Sequence, residues 1–187
     1  MDYQEINART IDRWIEEGWE WGKPIPHETF LAAQAGKWDV VLTPTKPVPH
    51  SWFGDLHGKK VLGLASGGGQ QMPIFAALGA DCTVLDYSPR QLESERLLAE
   101  REGYPIEMIR ADMSKPLPFD PLTHPEQMAQ LEAENDGIQF SHTIEEQIGG
   151  QLAAGFRLTD VYGDTDGIGP LHEHNIPTYW ATRAVKE

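Results

Sequence analysis

Cysteine is almost absent: Cys82 is the only one in 187 residues. One thiol cannot close an internal disulfide, which fits a reducing cytoplasm. Its place in an apolar strand predicts a small buried side chain rather than a nucleophile. No run of about 18 apolar residues occurs, so no transmembrane helix is expected. The opening Met1-Asp2-Tyr3-Gln4-Glu5 lacks the basic-then-apolar pattern of a signal peptide, and the expected location is cytoplasmic. Positive charge is scarce too: 15 Lys and Arg stand against 29 Asp and Glu, a net charge of −14. Phosphate backbones and anionic bilayers attract basic surfaces, so nucleic-acid and membrane partners are disfavoured. The longest basic candidate, Lys59-Lys60, is too short to change this, and the acidity is read as serving solubility.

Metal motifs are missing as well. His172 and His174 flank Glu173, but zinc needs three or four ligands, and there is no cysteine cluster and no H-E-x-x-H. The Asp164–Asp166 loop lacks the bidentate glutamate of a calcium loop. No metal site is expected.

The informative stretch is Val61-Leu62-Gly63-Leu64-Ala65-Ser66-Gly67-Gly68-Gly69-Gln70-Gln71, followed by a helix-like run and Cys82-Thr83-Val84-Leu85-Asp86-Tyr87-Ser88. It reads as strand, glycine turn, helix and a second strand ending in an acid. Glycines let a backbone approach a ligand closely, and the acid can accept from both ribose hydroxyls. Asp86 lies 19 positions after Gly67, close to the spacing of about 20 for such an acid. The turn is nearer G-x-G-x-G, with Ala65 in first place, than the G-x-G-x-x-G of nicotinamide proteins. No lysine follows it, which argues against a P-loop.

These residues resemble the class I S-adenosylmethionine-dependent methyltransferases, and most nearly small bacterial members of unassigned substrate. Ala65 to Gly69 look like the family's first motif and Asp86 like its ribose-binding acid. Ile109-Arg110-Ala111-Asp112-Met113 is similar to the third-strand motif whose acid faces the adenine amino group. The tryptophan-rich start and the tail from Leu171 to Arg183 also resemble that group. The likeness covers residues 1–119 and roughly 120–187. It implies S-adenosylmethionine as cofactor, held by Ala65, Ser66, Gly67, Gly68, Gly69, Gln70, Asp86, Tyr87, Ser88, Asp112 and Met113.

Two departures stand out. After Asp112–Phe119 the family has a fourth strand, a helix and a fifth strand, a unit of roughly 30 residues or more. Here the chain goes directly to Asp120-Pro121-Leu122-Thr123-His124-Pro125. Gly63 occupies the position where the family usually has an acid that helps hold the methionine end. Gln70 and Gln71 could compensate.

The length suits a single domain, expected as a helical and loop-rich cap (1–57), a cofactor-binding βαβαβ unit (58–119) and a C-terminal region (120–187). The fold class expected is α/β: a shortened Rossmann-like doubly wound sheet with a helical N-terminal cap and an antiparallel C-terminal strand pair. Ile6, Ile11, Trp14 and Ile15 predict an amphipathic helix over about 3–18, and Phe30, Leu31 and Ala33 a second over 27–36. The prolines of 43–49 predict an extended loop. A helix is expected from Gln70 to Leu78, with Met72, Phe75, Ala76 and Leu78 inward, Gly79 at its end, and its N-terminus towards the cofactor. Another should span Pro89 to Glu102, with Ser88 as N-cap and Leu92, Leu97 and Leu98 against the sheet. Ile106 to Arg110 reads as the third strand, and Pro125 to Glu134 as a mostly polar helix. Thr143 to Ala154 reads as a helix opened by a Thr143–Glu146 capping box, with an Ile144, Ile148 and Leu152 stripe. Phe156–Tyr162 and Thr178–Val185 read as strands finishing the sheet.

Five of the six tryptophans precede the glycine turn. Most are read as packing for the N-terminal cap. Trp52, directly before the first strand, is the substrate-side candidate, since a sulfonium gains cation–π energy on an aromatic face. His172 and His174 are the other substrate-side candidates, and either could serve as a general base. No catalytic base is assigned.

The leading expectation is a methyltransferase with a small-molecule acceptor. The alternative is a non-catalytic, shortened binding or assembly protein, paired as an intertwined homodimer through an exposed first-strand edge. A nucleotide-linked oxidoreductase is disfavoured by the glycine spacing.

Overall fold

The computed structural model describes residues 3–111, 129, 133, 137 and 143–186. Contacts divide the chain into two units, Met1–Trp38 with Asp55–Phe140, and Asp39–Gly54 with Ser141–Glu187.

The first unit opens with α1 (Tyr3–Glu16), ended by Gly18 at φ 88°, and α2 (His27–Gln34). The Trp14 and Trp19 rings pack against each other, 5.3 Å between centroids and tilted by 55°. Then β1 (Lys60–Leu64), α3 (Met72–Ala77), β2 (Asp81–Asp86), α4 (Pro89–Glu102) and β3 (Ile106–Arg110) alternate. The three strands form a parallel sheet in the order β1-β2-β3. Register sets Leu64 beside Leu85 beside Ile109, and Gly63 beside Val84 beside Met108.

Alternation along the strands splits the sheet into two faces. Cys82 and Val84 lie buried on the face where Cys82 Sγ approaches the Met72 carbonyl of α3 at 3.7 Å. Leu62, Leu64 and Ile109 share the other face and are 56%, 55% and 39% exposed. The core is built from Met72, Ile74, Phe75, Cys82, Val84 and Leu98, with Phe30 and Ala33 of α2 also buried.

Two helices differ in detail from expectation. α3 begins at Met72, two residues later than expected, with Pro73 in its first turn and Gly79 at φ 85° after it. α4 keeps its expected ends, but Leu97 is 53% exposed. The inward stripe is Gln91, Glu95, Leu98 and Ala99, a helical repeat that leaves Leu97 on the outer face.

In the second unit a π-helical stretch, Glu145–Gly149, runs into α5 (Gly150–Ala153). The capping box is present: Thr143 N–H donates to Glu146 Oε2 and Glu146 N–H to Thr143 Oγ1, both at 3.2 Å. The wider π turn breaks the even helical spacing, and Ile144 and Leu152 of the expected stripe are exposed. β4 (Arg157–Asp164) pairs antiparallel with β5 (Tyr179–Val185) in a two-stranded sheet of its own rather than as the finish of the parallel sheet. Between them lies α6 (Gly169–Glu173). The 43–49 loop is irregular, with one bridge between Val41 and Pro47. The expected helix at 125–134 falls almost wholly outside the described residues. Among the described residues no helix is long and apolar enough to cross a membrane.

Candidate cofactor site

Each glycine of the turn after β1 has its own reason. Ala65 sits at φ 46°, Gly67 at 78° and Gly69 at 85°, a region glycine enters at little cost. Gly68 is required for space: a Cβ there would lie 2.4 Å from Gln91 Oε1 and 2.9 Å from Ser94 Cβ. The α4 helix therefore packs directly against the turn. Ala65 N–H donates to the Leu85 carbonyl at 3.0 Å, tying the turn to β2. The N–H groups of Ser66, Gly67 and Gly68 have no acceptor among the described residues, and Ala65 is exposed.

Gly63 is explained by packing. A Cβ at that position would lie 2.4 Å from Ser66 Oγ and 2.8 Å from Met72 Sδ. The acid usual in the family has no room there. Gln70 is turned towards the N-terminal segment instead: its Nε2 donates to the Glu20 carbonyl at 2.8 Å and to the Lys23 carbonyl at 3.2 Å. Its side chain anchors the turn to that segment.

Asp86 closes β2. Its Oδ1 accepts Ser88 N–H at 2.8 Å. Burial raises its pKa above the ordinary carboxylate value, the Ser88 and Tyr87 amides oppose this, and Asp12 adds a like charge. Ser88 is buried and caps α4. Its Oγ accepts Gln91 N–H at 3.1 Å and donates to Asp12 Oδ1 at 2.6 Å. The Arg110 guanidinium lies 5.0 Å from the Tyr87 ring centroid, and Arg110 Nε donates to the Tyr87 carbonyl at 3.1 Å. Asp112 and Met113 lie outside the described residues.

Sequence reasoning missed three residues here. Arg110 follows from register alone, since it sits beside Asp86 across β2 and β3. Asp12 and Glu95 carried no local signal, because their partners lie 76 and 26 positions away. Glu95 is fully buried. Its Oε2 accepts Gly69 N–H at 2.6 Å and its Oε1 the Tyr104 hydroxyl at 3.3 Å.

The substrate-side candidates fall in the second unit. Trp52 Nε1 donates to Asp160 Oδ2 at 2.7 Å, and its ring lies 5.4 Å from that of Tyr162. Its carbonyl accepts Arg183 Nε at 3.0 Å. Trp52 is thus engaged by the β4–β5 pair on three sides. His172 Nδ1 lies 2.7 Å from Thr165 Oγ1, and His174 is exposed just past the end of α6. An open groove of about 460 Å³ in this unit is lined by Gln147, Gln151, Thr178, Tyr179, Trp180 and Thr182. Among the described residues no three His, Cys, Asp or Glu side chains gather as a metal site.

Parallel strands with crossover helices, a three-glycine turn after the first strand and an acid closing the second define an α/β domain of the nucleoside-cofactor type. A methyltransferase-domain family model matches residues 62–123. The uncharacterized methyltransferase YbaJ of Bacillus subtilis is 32% identical over 249 residues, spanning 96% of this chain and 97% of the relative. The chain belongs to the class I S-adenosylmethionine-dependent methyltransferase family. That alignment is longer than the 187 residues of this chain, so the relative carries stretches without a counterpart here.

Among solved structures, one concerns conversion of a disulfide bond into a thioacetal group during echinomycin biosynthesis. It matches at TM-score 0.41 and 17% identity, over 82% of this chain and 81% of its own. The branched-chain polyamine synthase of Thermus thermophilus, solved with N4-aminopropylspermidine and 5'-methylthioadenosine, matches at TM-score 0.39 and 21% identity, over 86% and 54%. Both are too distant to bear on activity.

Proposed function

We propose that this chain binds S-adenosylmethionine at the β1–α3 turn and methylates a small-molecule acceptor. The observation that carries the proposal is the turn itself: three glycines, each required by φ or by space, present backbone N–H groups with no acceptor among the described residues beside the Asp86 end of β2. The residues fit the cofactor. Ser66, Gly67 and Gly68 would offer N–H groups to its carboxylate. Asp86 would accept from the ribose hydroxyls, and Tyr87 would meet the adenine face. Asp112 and Met113 complete the adenine edge in this proposal. Ala65 gives the turn its left-handed entry, while Gln70 and Ser88 hold the turn and α4 in place.

When bound, the cofactor supplies an electrophilic methyl group. The protein's own task is to position a nucleophile in line with it. Trp52, His172 and His174 remain the substrate-side candidates. The net charge of −14 supports a small acceptor over a nucleic acid. The test is incubation with methyl-labelled S-adenosylmethionine and a panel of small amines, thiols, phenols and carboxylates. Acceptor-dependent S-adenosylhomocysteine formation, lost in Asp86→Ala, is the expected result. No turnover with any acceptor class, despite cofactor binding, would count against catalysis.

One observation favours a second, non-catalytic reading. β1 is an edge of the sheet among the described residues, and Leu62 and Leu64 are more than half exposed. An open edge of this kind pairs readily with another strand, here that of a second copy.

A further inference from the structure

The glycine turn is held from beneath by α4, and one of the holding groups carries a charge. Glu95 Oε2 receives Gly69 N–H at 2.6 Å. The neighbouring Ser94 hydroxyl donates to the Gly68 carbonyl at 2.9 Å, and the Gly69 carbonyl accepts Ile25 N–H at 2.8 Å. Gly69, at φ 85°, is thus fixed on both its donor and its acceptor side. A neutral amide or hydroxyl would satisfy one N–H at far lower desolvation cost than a fully buried carboxylate. What the carboxylate adds is strength, since a charge-assisted bond is shorter and about twice as strong as a neutral one.

We infer that Glu95 is a positioning residue for the cofactor turn: its ionised carboxylate draws the Gly69 N–H inward and fixes Gly67–Gly69 in the form that accepts the cofactor, so cofactor affinity rises as Glu95 loses its proton. The affinity half of this inference rests on the cofactor reading above; the hold on the turn does not.

The surroundings suit such a switch. Burial pushes the Glu95 carboxyl up to about 7, against the pull of the Gly69 and Tyr104 bonds. The Tyr104 hydroxyl is pushed up by burial and by Glu95, and the Cys82 thiol of β2 to about 12 by burial, then Glu95 and Asp81. Both therefore stay neutral while Glu95 titrates. Beyond Tyr104, burial opposes ionisation of Glu102, but bonds from Arg101 and His27 outweigh it and leave that carboxyl below its usual range. From α2, the His27 imidazole faces Glu102, with Nδ1 2.8 Å from Glu102 Oε2.

The experiment follows the Gly69 amide by 15N–1H NMR from about pH 5.5 to 8.5 in wild type, Glu95→Gln and His27→Gln. In parallel, S-adenosylhomocysteine is titrated calorimetrically at about pH 6 and pH 8. The Gly69 amide is expected to titrate once near neutrality in wild type and His27→Gln, and to stay still in Glu95→Gln. Wild-type affinity should be about tenfold weaker at the lower pH, and that of Glu95→Gln independent of pH. A Gly69 amide that does not move in wild type, a reading that needs no variant, would overturn the inference. So would a pH slope in affinity that survives in Glu95→Gln. If no folded form binds S-adenosylhomocysteine at any pH, the cofactor reading fails, while the amide separately decides whether Glu95 governs the turn.

Discussion

Of the three turn glycines, Gly68 has the least room, although its φ is unexceptional. Gly68→Ala must displace Gln91 Oε1 and Ser94, and overpacking of this kind costs about 1–3 kcal/mol. Urea denaturation should show a lower midpoint; an unchanged one would mean that α4 does not press on the turn. Glu95 makes a second prediction, about stability. Its folded pKa, about 7, lies above the ordinary value of 4.5. Its contribution is therefore full below about pH 4.5 and is lost as pH rises through about 7. Wild-type stability should decline between about pH 5 and 8, and Glu95→Gln should flatten that decline. A decline of equal size in both would disprove it. Together with the affinity trend, this means that the pH giving the firmest turn costs the fold stability. At this scale the sequence showed the three glycines and Asp86, whose identities are local requirements. It hid Glu95 and Asp12, whose roles arise only when α4 meets the turn and α1.

Helix α4 was legible because its signals are adjacent in the chain: Ser88 as N-cap, Pro89 behind it, and Gly103 left-handed at φ 75°. Ser88→Ala removes the cap and should cost about 1 kcal/mol, read from thermal unfolding. No measurable change would remove the cap from the account. The two-stranded pair β4–β5 holds a comparable anchor that the sequence did not reveal. Asp164 is buried and accepts Thr45 N–H at 2.8 Å, Lys46 N–H at 3.1 Å and Thr165 N–H at 2.9 Å. Burial works against its ionisation, but the Thr45 hydroxyl and the Thr45 and Thr165 amides hold it far below the usual carboxylate range. Asp164→Ala leaves those donors unmatched and should cost about 3 kcal/mol or more. The effect is read from the unfolding midpoint, and a loss below about 1 kcal/mol would contradict the anchor. The helix at 143–154 shows the opposite case. Its capping box was correctly read from four residues, but the π turn was not, because hydrogen-bond width leaves no periodic mark over so short a run.

The described residues of the first unit form three parallel strands, and the alignment with the Bacillus subtilis relative outruns the chain's own length. The shortening was legible as a lack of space after Phe119 for a strand–helix–strand unit. Among the described residues β1 is an edge strand, with Leu62 and Leu64 largely exposed. If that edge pairs with a second copy, light scattering after size exclusion should give twice the 20.9 kDa chain mass. Leu62→Lys should then return it to the monomer. A wild type that is monomeric at all concentrations would refute the pairing. The residues proposed to hold the cofactor from Ala65 to Ser88 lie in one unit, whereas the proposed substrate-side residues Trp52, His172 and His174 belong to the other. In this proposal the former carry a sequence motif because a nucleoside imposes fixed spacing, and the latter carry none because an acceptor does not.

The most direct test is calorimetric titration of S-adenosylhomocysteine into wild type and Asp86→Ala, at a pH of about 8 where Glu95 is ionised. Micromolar binding in wild type, lost in a folded Asp86→Ala, is the predicted result. A folded wild type without binding, or a variant that binds equally well, would contradict the account of the site.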